Sequence, residues 1–301
     1  MSEPAAFNFH WGNTELRGWA LGSDGDIIDA FTAPTPLEEG RNKGFSDVLA
    51  HCLGEFVTGQ KSAPLLFAGM VGAVNGWHPA PYSNCPITPE KLLSQAKRFE
   101  FLGHPTLILP GATCADSLGN ADIMRGEEVQ LLAVSQLLGL QNLTVSIPGR
   151  HCKHATLSDG ALTSFQSFVT GELFDLLLGN SLVGALATGT AFSAAAFSDG
   201  VQHGARQPLA TAVFASRANT LTGRLAAEDV ASFLSGVLIG HEAAQLRGLD
   251  HPVALMATGL LAERHGLAYE VLGIPYQTID AKICMRAGLQ RVARCMLDSN
   301  A

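Results

Sequence analysis

Three short extended pieces open the chain, Phe7 to His10, Leu16 to Leu21 and Ile27 to Thr32, divided by the turn-forming stretches WGNT and GSDGD. The same pattern returns at Leu143 to Ile147, His154 to Leu157 and Leu162 to Phe168, divided by PGRH and SDG. One strand-turn-strand-turn-strand unit in each half predicts a duplicated two-domain α/β chain. Phe45, Val48, Leu49, Cys52, Leu53, Phe56 and Val57 keep the rhythm of one buried helical face, as do Val230, Phe233, Leu234, Val237 and Leu238. The runs PLLFAGM, PTLILPG and PVALMATG, bounded by Pro and Gly, predict buried strands that deliver their C-terminal ends to a cleft. The first domain is placed at residues 1–130 and the second at 131–278. A last helical stretch within 279–301, Ala281 to Leu297, is expected to pack back across the hinge. No Pro-rich or Ser-rich linker divides the halves, which predicts an extensive interface with the interdomain cleft as ligand site.

Composition narrows the function. The 301 residues are 47% hydrophobic and 15% charged, enough to bury a large core. Lys and Arg number 19 against 27 Asp and Glu, a net charge of -8 with no basic cluster, which argues against nucleic acid or an anionic membrane. Cys52, Cys85, Cys114, Cys152, Cys284 and Cys295 form no CxxC pair and no Cys/His spacing suited to zinc, a pattern that fits a reducing cytosol. The opening MSEPAAFNFH has no signal-peptide character, so a cytoplasmic protein is expected. Residues 176–198 carry no charge and are long enough to span a bilayer. Gly179, Asn180, Ser181, Gly184, Thr188, Gly189, Thr190 and Ser193 interrupt them and Asp175 and Asp199 flank them, which predicts buried helix and turn instead.

Several stretches could carry chemistry. The turn Trp11-Gly12-Asn13-Thr14 offers backbone N–H groups and a hydroxyl to a phosphate, although Asn and Gly also serve tight hairpins for conformational reasons alone. Its counterpart, Gly149-Arg150-His151-Cys152-Lys153, adds cationic donors. Glu127 and Glu128 follow Arg125-Gly126 at the start of an apolar helix, where a carboxylate either complements the helix dipole or accepts a hydroxyl proton in phosphoryl transfer. Thr170-Gly171-Glu172 reads as a helix cap. The loop from Gly72 through Asn75 to Trp77 suits a small polar ligand, and equally an anchored loop. His151 and His154 stand three apart with no third ligand evident nearby, and read as surface or hydrogen-bonding histidines.

Taken in order, HWGNTELRGW, FAGMVGAVNGWHPAPY, LPG at 109–111, MRGEEVQL, IPGRHCKH, TGELFDLLLGNSLVG, FLSGVLIGHEAAQLR and VALMATGLLAER resemble the 2-dehydro-3-deoxygalactonokinase family. These are sugar-acid kinases with the duplicated fold of actin, hexokinase and the heat-shock ATPases. The resemblance runs from Phe9 to about Ala293. It implies an α/β chain of two duplicated ribonuclease H-like domains, with Trp11, Gly12, Asn13 and Thr14 as first phosphate loop and Gly149, Arg150, His151 and Lys153 as second. The adenosine segment would be Ala257, Thr258 and Gly259. Glu127 would be the general base, with Glu128 as alternative. Gly72, Asn75, Trp77, Arg125 and Lys153 would bind the sugar acid. ATP with Mg2+ and 2-dehydro-3-deoxygalactonate would be the small-molecule partners, the latter phosphorylated on its terminal hydroxyl; a homodimer stays open. Three positions depart from the family pattern: His10 stands where Asp helps to hold Mg2+, Arg150 where the second loop has Thr, and His154 where a Trp is usual. Two readings result, a kinase and a sensor that binds a sugar acid or nucleotide on a kinase scaffold.

Overall fold

The first strand triplet forms as β1 (Ala6–Trp11), β2 (Leu16–Leu21) and β3 (Ile27–Ala33), with each neighbouring pair antiparallel. This is a computed structural model, and it describes residues 3–57, 63–189 and 191–299. Thr190, one of the residues that interrupt the uncharged run, and the first two residues of the chain lie outside them. The chain divides into two compact units, residues 1–141 with 156–165 and 281–301, and residues 142–155 with 166–280.

In the first unit, helices α1 (Leu37–Lys43) and α2 (Phe45–Leu53) precede β4 (Leu65–Gly69), which runs parallel to β1 with His10 beside Ala68 and Trp11 beside Gly69. Then come β5 (Tyr82–Asn84), α3 (Pro89–Ser94), β6 (Lys97–Phe101), β7 (His104–Ile108), β8 (Gly111–Ala115), β9 (Ala121–Met124) and α4 (Glu127–Leu138). The main sheet has the order β3-β2-β1-β4-β7-β6, and β5-β8-β9 form a small separate sheet. Burial explains the apolar sequence of β1 and β4: Phe9 stacks on Phe67 at 4.8 Å between ring centroids, and Val48, Leu49 and Leu53 of α2 close over the same core.

The second triplet is β10 (Leu143–Ile147), β11 (Cys152–Ser158) and β12 (Ala161–Phe168), followed by α5 (Thr170–Asn180), α6 (Ala194–Gly204), α7 (Leu209–Leu221) and α8 (Val230–Ala243). Strand β13 (Val253–Met256), α9 (Gly259–Leu272), β14 (Tyr276–Ile279) and α10 (Ala281–Asp298) complete the chain. The sheet order is β12-β11-β10-β13-β14, with β13 parallel to both β10 and β14. Each half therefore builds three turn-linked strands and extends the sheet beside the first of them, with β4, β7 and β6 in the first half and β13 and β14 in the second.

Helix α8 is apolar on most faces because it lies inside a helical layer, buried at Val230, Phe233, Leu234, Val237, Leu238 and Ala243. Its Gly236 and Gly240 face Gly200 and Gly204 of α6. A Cβ at any of the four would lie 2.0–2.3 Å from a carbonyl oxygen of the opposite helix, so here the two backbones touch. The described residues of the run 176–198 are mostly helix and turn, as expected, but only partly buried: Ala196 and Phe197 are in the core, whereas α5 rests only one side on the helical layer and Leu176 is 49% and Leu182 71% exposed. Among the described residues, no helix is long and apolar enough to cross a membrane.

Candidate active site

The turn after β1 and the loop after β4 leave neighbouring parallel strands at the same end. Gly12 N–H donates to the Glu15 carbonyl at 3.1 Å and closes the turn, leaving Asn13 and Thr14 exposed at its tip. Trp11 contributes no side chain to it: the indole is fully buried, donates Nε1–H to the Thr35 carbonyl at 2.9 Å and meets Phe45 edge-on.

His10 lies under this turn among glycines. A Cβ on Gly69 would come within 3.1 Å of the imidazole, one on Gly12 within 3.3 Å, and one on Gly126 within 3.4 Å of the Gly69 Cα and 4.0 Å of His10 Nε2. Gly69 at φ 95 and Gly126 at φ 105 also hold backbone that side-chain-bearing residues rarely adopt. The start of α4 is thus brought against His10. Burial, and then the charge of Arg17, pull the imidazole's pKa down to about 4. It is a neutral nitrogen donor at working pH, which does not fit Mg2+, a hard cation that takes oxygen ligands. No protein ligand for Mg2+ is assigned at this turn.

The two carboxylates of α4 sit differently. Glu127 is half-buried and its Oε2 accepts the Arg125 N–H at 3.1 Å. Glu128 is 1% exposed, and its Oε2 accepts the Gly126 N–H at 2.7 Å. Burial, reinforced by the neighbouring Glu127 charge, pushes its carboxyl up to about 8, so it carries a proton at neutral pH. Between its ordinary value and 8 the unfolded chain releases a proton that the folded one keeps, so this group's contribution to stability falls as pH rises through that window. Glu128→Gln, which retains an acceptor for Gly126, is expected to stabilise the protein at pH 8.5 by on the order of a few kcal/mol and to change little at pH 4.5. Urea unfolding at the two pH values checks this.

The proposed sugar-acid residues of this unit form two groups. Arg125 lays its guanidinium over the Tyr82 ring at 4.4 Å and donates Nη2–H to the carbonyls of Ala80 at 2.8 Å and Pro81 at 3.2 Å, while its Nε and Nη1 are buried without a hydrogen bond. Gly72 is packed beneath it, where a Cβ would come within 3.0 Å of Nη1. Asn75 is exposed and accepts from Arg41 through both its carbonyl and Oδ1. Trp77 donates to Ser46 Oγ and stands edge-on to Phe67, Phe99 and Phe101, so its indole anchors the loop.

In the second unit, the Gly149–Lys153 turn leaves β10 and the Ala257–Gly259 segment leaves β13, its parallel neighbour. Thr258 and Gly259 are exposed at the N-terminus of α9, with Gly259 at φ 58. The first turn of α5 clamps the Gly149–Lys153 turn. Glu172 N–H donates to the Arg150 carbonyl at 3.0 Å, and Gly171 lets the backbones meet, since a Cβ there would lie 2.6 Å from the Gly149 oxygen. Glu172 Oε2 takes His151 Nε2 at 2.5 Å and lies 3.6 Å from Arg150, whose Nη1 is 3.7 Å from Asp175. The His151 hydrogen bond, ahead of the Arg150 charge, holds the Glu172 carboxyl below the usual range. Lys153 is buried, its Nζ 3.3 Å from the His151 carbonyl. Thr170 is not a cap: α5 has no side-chain cap at its start, and the Thr170 hydroxyl instead donates to Glu242 at 2.5 Å.

Sequence reasoning left Gly69 and Glu242 out of account. Gly69 was legible as a glycine ending an apolar strand, whereas nothing near Glu242 in the sequence marks the neighbours it meets.

Two sheets that share a five-strand order, each with a turn after its first strand and a loop after that strand's parallel neighbour, define the duplicated ribonuclease H-like fold of the actin/hexokinase-type ATPases. Residues 10–292 match the family model described as 2-keto-3-deoxy-galactonokinase, and the chain belongs to that family. It is 33% identical over 294 residues, 95% of each chain, to a Rhizobium meliloti protein named "Probable 2-dehydro-3-deoxygalactonokinase DgoK1". It is 31% identical over 290 residues, 95% of this chain and 96% of the relative, to the Escherichia coli 2-dehydro-3-deoxygalactonokinase. A solved structure of a 2-dehydro-3-deoxygalactonokinase-type protein from Sinorhizobium meliloti is 32% identical and superposes with a TM-score of 0.86, covering 97% of this chain and 99% of that one.

Proposed function

We propose that this chain transfers the γ-phosphoryl group of ATP to the terminal (C6) hydroxyl of 2-dehydro-3-deoxy-D-galactonate, in galactonate catabolism. The observation that carries this reading is membership of the kinase family over residues 10–292, with relatives so named across nearly their full length. It supports the kinase over a sensor that merely binds. The turn at Gly12–Thr14 and the turn at Gly149–Lys153 hold the phosphates through N–H groups and cationic side chains, and Ala257–Gly259 receives the adenosine. The exposed ion pairs of Arg150 with Glu172 and Asp175 on α5 are weak enough to be exchanged for phosphate. Mg2+ enters with ATP.

Glu127 is the general base. It is the more accessible of the two carboxylates, whereas Glu128 is buried and protonated at neutral pH. Glu127 takes the proton of the C6 hydroxyl as that oxygen bonds to the γ-phosphorus, and the bond from phosphorus to the β,γ-bridging oxygen breaks to release ADP. Gly72, Asn75, Trp77, Arg125 and Lys153 form the sugar-acid contacts. The unsatisfied Nε and Nη1 of Arg125 support this assignment, because they are donors left for the oxygens of an anionic substrate.

A coupled ADP-release assay with ATP, Mg2+ and 2-dehydro-3-deoxygalactonate tests the proposal, and absence of turnover overturns it. Arg125→Ala is expected to raise KM for the sugar acid about 10-fold or more with KM for ATP unchanged; an unchanged sugar-acid KM removes Arg125 from the site.

A further inference from the structure

Away from the residues assigned to phosphoryl transfer, the second unit buries four chemistry-bearing side chains in one place. Cys152 and His154 stand two apart on β11 and so share one face of the strand, Glu242 comes from α8 and His265 from α9. Their exposures are 1%, 8%, 1% and 2%. Cys152 Sγ, a Glu242 carboxylate oxygen and a His265 ring nitrogen lie within 4.8 Å of one another. Glu242 Oε1 is 3.3 Å from His154 Nε2 and 3.8 Å from His265 Nε2, yet none of these three atoms makes a hydrogen bond.

The surrounding bonds fix what these atoms offer. His265 Nδ1 is 3.1 Å from the Leu261 carbonyl, which can only accept, so Nδ1 carries the proton and the neutral ring turns the lone pair of Nε2 toward Glu242 Oε1. Glu242 Oε2 is occupied by the Thr170 hydroxyl at 2.5 Å, which directs Oε1 toward the histidines. A lone pair and a carboxylate oxygen facing each other in a dry interior need a positive charge between them.

We infer that Cys152, Glu242 and His265, whose ligand atoms already cluster, and His154, which stands beside Glu242 and completes the set by a small side-chain adjustment, form a structural site for a zinc-type divalent transition metal ion. Bond lengths of about 2.0–2.3 Å around a tetrahedral ion put its ligand atoms roughly 3.3–3.8 Å apart, and two of the separations already have that size. One thiolate and one carboxylate cancel the ion's two charges. The thiolate and imidazole donors select zinc over Mg2+ or Ca2+. Four protein ligands in a buried place leave no open position, the mark of a structural rather than a catalytic ion. Leu261 and Thr170 act as the outer partners that orient such ligands. Binding joins β11 to α8 and α9, directly behind the Gly149–Lys153 turn, to whose Gly149 Cys152 Sγ is already hydrogen-bonded. Cys152 is a free cysteine, so the S–metal bond forms as its thiol proton leaves to solvent, one proton per ion.

The test uses the untagged full-length chain, stripped with a chelator and titrated with Zn2+ and with Co2+. One ion per chain is expected, with a rise in Tm of several degrees, release of one proton, and a thiolate-to-cobalt charge-transfer band with the visible bands of a tetrahedral ion. Cys152→Ser should abolish the charge-transfer band, and Thr170→Val should weaken zinc binding about 10- to 100-fold. If Cys152→Ser does not fold, the stoichiometry and Tm of the unaltered chain decide. No metal uptake and no Tm rise, or a cobalt spectrum without thiolate character, overturns the inference and leaves a metal-free buried ion cluster. The outcome is independent of the kinase assay.

Discussion

Glu127→Gln is expected to lower kcat by about 10²- to 10⁴-fold, the contribution of a positioned general base, while ATP affinity stays within about 2-fold. The amide keeps the shape of the carboxylate and its ability to accept the Arg125 N–H, so the start of α4 should be undisturbed. What it loses is the capacity to take a proton. Glu128→Gln is the matched comparison, because Glu128 adjoins it on the same helix but is buried and already protonated. Its turnover should remain within about 10-fold of the unaltered protein. Steady-state ADP release gives kcat for both variants, and calorimetric titration with a nonhydrolysable ATP analogue gives nucleotide affinity. Turnover retained by Glu127→Gln and lost by Glu128→Gln would exchange their roles. That result would require ligand binding to expose and ionise Glu128.

Gly236→Ala is expected to destabilise the second unit by about 3 kcal/mol or more, at the upper end of overpacking effects. The added methyl would come within 2.1 Å of the Phe197 carbonyl oxygen and 2.9 Å of the Val201 nitrogen. Both are backbone atoms of a helix, so no side chain can rotate aside, and α6 and α8 must separate. Gly179→Ala on α5 is the control, since a Cβ there meets nothing within 4 Å. It replaces a glycine inside a helix and should stabilise by up to about 1 kcal/mol. Thermal unfolding followed by circular dichroism should place Gly236→Ala roughly 5–10 °C below the unaltered protein. Equal melting of the two variants would show that the helix pair yields more easily than its backbone contacts imply.

The strand triplets were legible because their apolar pieces are short and glycine-bearing turns separate them, and the duplication followed from seeing that arrangement twice. The contact between α6 and α8 was present as Gly200, Gly204, Gly236 and Gly240, spaced by four in each helix. It was passed over because small residues in an Ala-rich stretch carry no strong apolar rhythm. The run 176–198 misled in the opposite sense: lack of charge suggested burial, but Leu176 and Leu182 face outward. At the active site, the sequence placed Glu127 and Glu128 side by side without ranking them. Their burial separates them, and that depends on how β4 and Gly126 meet. The neighbours of Glu242 were illegible for a similar reason, since the spacing of Cys and His reports only ligands close in sequence, and these come from one strand and two helices.

Helix α10 belongs to the unit that begins the chain, although it is made last. Gly288 lets it meet the Val129 carbonyl of α4, and Gln290 and Arg294 reach Gly25 and Asp26 in the turn between β2 and β3. During synthesis the first unit therefore waits, with the α4 side that α10 covers unfilled, until the whole second unit has left the ribosome. The second unit can mature first, and a chain stopped short of residue 281 would hold an incomplete first unit, exposed to the quality-control machinery of the cell.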